Sequence, residues 1–379
     1  MDDITIYQKI QNNLSQKIPF VSFRKPNTNT LHLIEQKNNS VNLLKNYSQI
    51  GFLFAPFDTK KKSVLFEYKD CIQSSSILKK DTFNTQNAFK VPNKPVDQTK
   101  HEKLVKEGID YINNNAAQKI VLSRKEKIDA HNIDKLTTFK KLIATYQAAF
   151  VYIWYHPKIG LWLGATPETL LNISGKKFKT MALAGTQLYS NTLNVTWDTK
   201  EVIEQELVTS FISKQLNTLK ISHSKSKATT IRAANLLHIC TNFSGRLSSY
   251  SSFGSLLNAL HPTPAVCGMP KEDAKKFIIQ NETYDREYYT GYLGEINIPV
   301  DSRKNKNNSR NVENQAYSYT SNQSSLFVNL RCMKIEQNTI NIYVGGGITS
   351  KSIPKSEYLE TVSKAKVMKN ALVFNALRN

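Results

Sequence analysis

The clearest periodic pattern in the chain lies at residues 198–219, where apolar side chains recur at helical spacing. One acidic residue, Glu204, falls near the middle of the apolar arc. Burying a carboxylate is costly unless it is paired or bound to a metal ion. The pattern therefore predicts a helix in which Glu204 is held either by a lysine or by a metal, and the residues alone leave both alternatives open. The apolar arc consists of Ile203, Leu207, Val208, Phe211, Ile212 and Leu219.

A second pattern, near the C-terminus, predicts a strand, a glycine turn and a helix. Residues 340–344 alternate like a strand, and the three glycines at 345–347 indicate a turn where the backbone comes close to another group. Ser352 is a suitable N-cap, and Pro354 suits the first turn of a helix.

Three charged residues share one face of that C-terminal helix. Glu357, Glu360 and Lys364 are spaced three and four residues apart, so their side chains are neighbours on the helix surface. Two carboxylates beside a glycine turn could hold a hard cation, and the lysine could hold an anion that the cation also binds. The alternative is an ordinary solvated Glu–Lys pair, which is common on helix surfaces.

The remaining patterns mix helices and strands without strict alternation, which predicts an α+β domain. The polar stretch 73–99 indicates a long connection, and the polar stretch 301–324 indicates an insertion. No internal repeat and no long linker divides the chain. Further helices are expected at 101–115, 230–240, 253–260, 270–281 and 355–376, and strands at 20–26, 51–57, 119–124, 150–155, 160–164, 170–173, 178–184 and 326–335.

Length and composition narrow the class of protein. The 379 residues are 40% hydrophobic, which is typical of a globular chain with a large core. No apolar run approaches the length of a membrane span, and the acidic start at Asp2 and Asp3 is unlike a secretory signal. Four scattered cysteines without a Cys-x-x-Cys pair argue against a zinc site and for a reducing cytoplasm.

The net charge of +21 raises the possibility of nucleic-acid binding. The lysines, however, are spread along the whole chain, and no basic-aromatic strand motif or recognition helix accompanies them. We therefore interpret them as a solvated surface that attracts small anionic substrates, and we expect no nucleic-acid and no membrane partner.

Three further residues are candidates for chemistry. Arg331 stands among apolar residues of the predicted strand 326–335 and could form a fork for a carboxylate, or else an ordinary ion pair. Lys119 opens a predicted strand, and a lysine in an apolar, cationic site can serve as a base. Glu168 follows a strand and a proline turn, a natural place to project an acid into a cleft. Taken alone, Lys119 and Glu168 fit ordinary surface positions better than catalytic ones.

The prolines and small residues of LHPTPAVCG, at 260–268, make this segment close-packed and rigid. The segment resembles a sequence block of the chorismate-utilising enzymes. That family includes isochorismate, salicylate, anthranilate and aminodeoxychorismate synthases. The resemblance covers about residues 100–370, and residues 1–100 match only loosely. The other blocks follow in order: KIVLSR at 119–124, GATPETL at 164–170, ALAGT at 182–186, Glu204 with Leu207 and Val208, ETYDREYYTGYLG at 282–294, NLRCM at 329–333, and the glycines with Glu-x-x-Glu-Thr at 345–364.

The resemblance implies catalytic and metal-binding roles at the matching positions. Lys119 matches the base that activates water, and Glu168 matches the acid that protonates the departing hydroxyl group. Glu204 and Glu360 match ligands of Mg²⁺, and Glu357 matches a carboxylate that holds the metal through water. The implied cofactor is therefore Mg²⁺ and the implied substrate is chorismate.

The resemblance also implies a set of substrate-binding positions. Arg331 and Tyr289 match contacts to the enolpyruvyl carboxylate, while His238 matches a pocket histidine for which a structural role is an equal alternative. The other implied substrate contacts are Gly185, Thr186, Ala265, Gly345, Gly347 and Lys364, most of them near the ring carboxylate.

Within the family, three positions favour isochorismate synthase over its relatives. Lys119 fits water addition, Ala184 stands where aminodeoxychorismate synthases carry a lysine, and Ala265 stands where salicylate synthases tend to carry threonine. The nearest alternative is a salicylate synthase. Departures from the family pattern are Gly346 in place of alanine, Gln205 in place of histidine, and the 301–324 stretch.

The implied fold is α+β, with two stacked β-sheets flanked by helices and the site in a cleft. Residues 1–100 are expected to be the N-terminal part of the same fold, and residues 101–379 the chorismate-binding catalytic region. A cytoplasmic enzyme that is a monomer or a weak dimer is expected, serving menaquinone or siderophore biosynthesis.

Overall fold

The computed structural model describes residues 5–78, 97–114, 117–233, 236–248, 251–302 and 319–375. Within these residues the chain forms seven α-helices, one 3₁₀ helix at Tyr68–Asp70 and eighteen strands. The helices are α1 Ile6–Gln16, α2 Gln98–Asn114, α3 Lys135–Thr145, α4 Thr199–Thr218, α5 Phe253–Leu260, α6 Lys271–Asn281 and α7 Pro354–Lys369. No described helix is long and apolar enough to cross a membrane.

The strands form two large antiparallel sheets. The first sheet has the order β14-β6-β18-β17-β8-β7-β1-β2-β5, and the second has the order β11-β13-β10-β9-β16-β15-β3-β4, with β12 also paired to β13. The strand bounds are β1 Phe20–Arg24, β2 Thr30–Gln36, β3 Gly51–Ala55, β4 Val64–Glu67, β5 Cys71–Ile77, β6 Lys119–Asp129, β7 Phe150–His156, β8 Gly160–Thr166, β9 Thr169–Ser174, β10 Lys177–Leu188, β11 His223–Lys225, β12 Thr229–Ala233, β13 Leu236–Arg246, β14 Gly268–Met269, β15 Tyr292–Ser302, β16 Tyr319–Val328, β17 Cys332–Glu336 and β18 Thr339–Ile348.

The sheets stack face to face over an aromatic core, as expected. Phe66 of the second sheet stacks on Trp154 of the first with ring centroids 5.4 Å apart, and Phe150 stacks on Phe327 at 4.3 Å. Helices α1, α3 and α7 contribute to a core on the outer face of the first sheet, and α4 and α5 cover the second sheet. Strands of residues 1–100 add to both sheets. The expected α+β architecture of two stacked sheets with flanking helices is confirmed.

Most helix predictions hold, but the helix predicted at 230–240 is wrong. Residues 230–233 belong to β12 and residues 236–240 to β13, an antiparallel pair in which Ile231 lies opposite His238; residues 234–235 lie outside the described residues. Because β13 is an interior strand, residues 236–241 are buried on both faces, and a continuous apolar run lacks the alternation that identifies a half-buried strand.

The predicted strand 326–335 is interrupted. β16 ends at Val328, β17 begins at Cys332, and Arg331 between them has φ 47°. Asn329 donates its N–H to Gly291 and accepts from Thr290 N, which draws the backbone out of the strand. Arg331 therefore projects from a turn, not from a strand face.

The C-terminal prediction also needs correction in detail. Residues 345–347 are not a turn but continue β18, where Gly345 lies opposite Ser123 and Gly347 opposite Val121. The N-cap of α7 is Ile353 instead of Ser352, whose hydroxyl accepts a hydrogen bond from Thr349 N. Pro354 does occupy the first turn, and the helix ends at Lys369, short of residue 376.

Other boundaries shift as well. The connection predicted at 73–99 begins later, because β5 continues to Ile77; residues 79–96 lie outside the described residues. The insertion predicted at 301–324 is flanked by longer strands, since β15 reaches residue 302 and β16 starts at 319; residues 303–318 are outside the described part.

In α4, Ile203 is 41% exposed, so the apolar arc is narrower than predicted.

Candidate active site

One cleft collects most of the predicted site residues. Its empty volume, open solvent included, is about 760 Å³. Lys119, Glu357 and Glu360 do not line the cleft but border it, as described below. The predicted residues that line it are Glu168, Gly185, Thr186, Glu204, His238, Ala265, Tyr289, Arg331, Gly345, Gly347 and Lys364.

Strand β18 forms the floor of the cleft, and its glycines admit the functional side chains. A Cβ atom on Gly347 would lie 2.5 Å from Glu204 Oε1 and 2.7 Å from Lys119 Cε. A Cβ atom on Gly346 would lie 3.5 Å from Glu357 Oε2, which is ordinary contact. Because of the close approach at Gly347, Lys119 and Glu204 meet directly over this strand.

Three carboxylates lie next to these glycines, each paired with a lysine. Glu204 Oε1 lies 2.7 Å from Lys119 Nζ, and Glu360 Oε1 lies 2.7 Å from Lys364 Nζ. Helices α4 and α7 thus bring their acidic residues together across β18.

The third lysine is Lys200, which sequence reasoning missed. Its Nζ donates to Glu357 Oε1 at 2.6 Å. Burial lowers the pKa of Lys200, but the charges of Glu357, Glu360 and Glu204 outweigh burial and raise that pKa. Lys200 stands four residues before Glu204 on α4, so i,i+4 spacing was the available signal.

The carboxylates have different electrostatic environments. Burial alone would raise the pKa of Glu204, but Lys119, Lys364 and Lys200 outweigh it and lower that pKa. In Glu357 burial dominates over Lys200 and raises the pKa.

The donor set fits a magnesium ion, although the side chains do not converge as they stand. Among the described residues no three His, Cys, Asp or Glu side chains are close enough to hold a metal. Glu357 Oε2 is nevertheless buried without a hydrogen-bond partner, and three lysines already place positive charge beside the three carboxylates. Carboxylate oxygens are the ligands that Mg²⁺ prefers.

Glu168 provides a protonated acid in the cleft. It follows β8, and its backbone N–H donates to Thr166 Oγ1 at 3.3 Å. Burial raises the pKa of Glu168 to about 8, despite the opposing charges of Lys119 and Arg331. The carboxyl group therefore carries its proton at neutral pH, as a general acid must.

Lys119 is fully buried at the start of β6. In the described part of the chain, no hydrogen bond or ion pair joins Lys119 to Glu168. The ammonium group and the carboxyl group therefore do not bond to each other directly. Lys119 Nζ instead pairs with Glu204.

Arg331 and His238 lie side by side in the lining of the cleft. His238 Nδ1 donates to Gly185 O at 2.8 Å, which leaves Nε2 to accept from Arg331 Nη2 at 2.8 Å. Burial, with the charge of Arg331, lowers the pKa of His238 to about 3, so the imidazole is neutral. Among the described residues Arg331 has no carboxylate partner, and solvent reaches it through the cleft. Its guanidinium is therefore available to bind a ligand carboxylate.

Gly185 and Gln205 show how close contacts fix the backbone and the helix beside the cleft. Gly185 has φ 72° at an irregularity of β10, and a Cβ there would lie 3.1 Å from Glu201 Cβ. Gln205, the departure from the family histidine, is buried and donates to Thr209 and Thr241 at 2.8 Å. It therefore ties α4 to β13 and does not take part in the cleft.

Two family models match the chain. A model described as chorismate binding enzyme matches residues 42–302, and a second chorismate binding enzyme model matches residues 316–370.

Individual proteins are similar over most of the chain. Isochorismate synthase EntC of Escherichia coli (strain K12) is 28% identical over 345 residues, which cover 86% of this chain and 81% of that protein. The vibriobactin-specific isochorismate synthase of Vibrio cholerae is 26% identical, over 84% of this chain and 78% of that protein. A crystal structure of a putative 2,3-dihydroxybenzoate-specific isochorismate synthase from Bacillus anthracis superposes with TM-score 0.72 and 22% identity, covering 97% and 99% of the two chains. The chain therefore belongs to the family of chorismate-binding enzymes.

Proposed function

We propose that this protein is an isochorismate synthase, which converts chorismate to isochorismate and feeds menaquinone or siderophore biosynthesis in the cytoplasm. The observation that carries the proposal is Glu168, a buried acid with a pKa of about 8, in the same cleft as Arg331. The isomerisation needs a proton donor for a leaving hydroxyl group and an anchor for a carboxylate, and these two residues supply them.

In the proposed reaction, Lys119 takes a proton from the water that adds at C2 of the ring. The double bonds shift, and the C4–O bond breaks. Glu168 gives its proton to the departing hydroxyl group, which leaves as water. Arg331 and Tyr289 hold the enolpyruvyl carboxylate, and the neutral His238 fixes the guanidinium of Arg331 for that contact.

Magnesium would be held by Glu204 and Glu360, with Glu357 acting through water, at the side of the cleft formed by β18. When bound, it would polarise the ring carboxylate and make the ring a better electron sink.

Product identity tests the proposal. Incubation with chorismate and Mg²⁺, followed by chromatography and NMR of the products, should give isochorismate with little pyruvate. Ala265 offers no hydroxyl group to orient bound isochorismate for pyruvate elimination, and one lost hydrogen bond changes a barrier by about 1 kcal/mol. Stoichiometric salicylate and pyruvate would instead identify a salicylate synthase, and no turnover would contradict the proposal.

Matched variants separate the site from the fold. Glu204→Gln should lose most activity, whereas Glu206→Gln, on the exposed side of the same helix, should remain near wild type. Glu168→Gln should retain chorismate binding and lose turnover. Normal turnover by Glu204→Gln at limiting Mg²⁺ would show that the assigned cluster is wrong.

A further inference from the structure

A second cavity lies outside the candidate active site, between the N-terminal half of α2, the middle of β6 and residues 281–284. Its empty volume, open solvent included, is about 1270 Å³. None of the residues that line it lines the active-site cleft. Two of its lining side chains, His101 and Arg124, are buried at 3% and 6% exposure.

Both buried side chains have nitrogen atoms without a partner. Arg124 Nε donates to Thr361 Oγ1 at 2.7 Å and Nη1 donates to Glu126 Oε2 at 3.0 Å, but Nη2 has no acceptor among the described residues. Neither ring nitrogen of His101 has a hydrogen-bond partner there. Buried N–H groups without acceptors are rare in folded proteins, so the arrangement calls for an acceptor from outside the chain.

Positive charge exceeds negative charge around these atoms. Glu126, next to Arg124, is shared with a second cation, Lys369. Two other lining lysines, Lys125 and Lys127, pair with no carboxylate within the described residues, and Lys125 Nζ lies 5.5 Å from the ring centroid of Tyr284.

The acidic residues that line the cavity do not cancel this excess, because each already has a cation. Asp97 lies 3.5 Å from Lys100, and Glu107 lies 3.8 Å from Lys103. Glu282 forms a buried pair with Arg286, which lies outside the cavity lining, at 2.5 Å.

We propose that this cavity is a binding site for a small oxyanion of the phosphate or carboxylate class, with Arg124 Nη2 as the central donor and Lys125 and Lys127 as further cations in the lining. A guanidinium N–H directed to an oxyanion is a strong, charge-assisted contact. His101 supports this assignment, because burial and the nearby Arg124 lower its pKa to about 4. The neutral ring offers one N–H donor beside the guanidinium without needing a counter-ion.

The site shares a strand with the candidate active site. Ser123, which lines the anion cavity, lies opposite Gly345 of the chorismate cleft, and Lys119 opens the same strand β6. Binding can nevertheless be measured without turnover, so its outcome is independent of the proposed isochorismate synthase activity.

The test is a titration of the full chain with inorganic phosphate, and separately with succinate, at constant ionic strength. Binding is followed by calorimetry and by NMR of ¹⁵N-labelled histidine, with the His101 signal assigned from His101→Gln. We expect a saturable shift of the His101 signal with phosphate, succinate or both, and the preferred probe identifies the class of ligand. No saturable shift with either probe would overturn the proposal.

A charge-matched pair of double variants distinguishes the site from general attraction to a basic surface. Lys125→Gln with Lys127→Gln should weaken binding by roughly fivefold or more. Lys177→Gln with Lys179→Gln, which removes two exposed lysines of β10, should leave affinity unchanged. Equal weakening by both pairs would overturn the proposal. Arg124→Lys should abolish the His101 shift. Arg124 also donates a hydrogen bond to Thr361, so this variant could be unstable for a reason unrelated to binding. In that case the double variant of Lys125 and Lys127 still tests the proposal.

Discussion

Gly347 permits a sharp test of the candidate site, because the next glycine is its control. A methyl group on Gly347 would lie 2.5 Å from Glu204 Oε1 and 2.7 Å from Lys119 Cε. Heavy atoms prefer separations of about 3.5 Å or more, so the carboxylate of Glu204 must withdraw by about 1 Å. A displacement of about 1 Å at a catalytic group can reduce activity by roughly a hundredfold. Gly347→Ala should therefore lower kcat/KM for chorismate by about that factor.

The same substitution should leave the fold intact. The atoms displaced are the ends of two long side chains, not backbone atoms, so the melting temperature should change by only a few °C, equivalent to about 1 kcal/mol. Gly346→Ala should be nearly silent, since its methyl group would lie 3.5 Å from Glu357 Oε2 and 3.8 Å from Glu360 Oε1.

The two variants are compared by the initial rate of isochorismate formation at saturating Mg²⁺ and by thermal unfolding. Wild-type kcat/KM in Gly347→Ala would refute the placement of Lys119 and Glu204 at the reaction centre. Equal losses in both variants would refute the reasoning from local contact.

Three further predictions concern charge in the site. Burial raises the pKa of Glu168 to about 8 and the acid works protonated, so kcat/KM should fall as pH rises through about 8; a flat pH–rate profile up to pH 9 would contradict this role. Lys200→Ala should tighten the binding of Mg²⁺ alone by about tenfold, because it removes the cation bonded to Glu357. Calorimetry measures this affinity, and weaker binding would mean that Lys200 supports the metal instead. His238→Ala should raise KM for chorismate by roughly tenfold with a smaller effect on kcat, because Arg331 loses its 2.8 Å partner; an unchanged KM would contradict the positioning role of His238.

Local signals in the sequence were sufficient for much of the fold. The helix at α4 followed from a 3.6-residue apolar period that spans five turns, and that period depends on neighbours along the chain. The start of α7 was visible from Pro354, which suits only the first turn of a helix. The sequence blocks around Glu168 and residues 260–268 indicated the family, since catalytic chemistry restricts which residue types stand there.

Other features were decided by the tertiary structure. Residues 236–240 form a strand because β13 is buried between neighbours on both sides, and a continuous apolar run does not distinguish a buried strand from a helix. Arg331 left its predicted strand because Asn329 bonds to the distant Thr290 and Gly291, contacts that no local pattern reports.

The chemistry of the site depends most on contacts between residues far apart in the chain. The sequence identified Glu168 as a candidate acid, but its raised pKa exists only because the fold buries the carboxyl group. Likewise, the helical pattern of the sequence was enough to identify Glu204 and Glu357 as candidate site residues. Their ion pairs with Lys119 and Lys200, however, form only because α4 and α7 pack against β18. Residue types and helical spacing are local properties that a sequence carries by itself, while desolvation and ion pairing are properties of the assembled core.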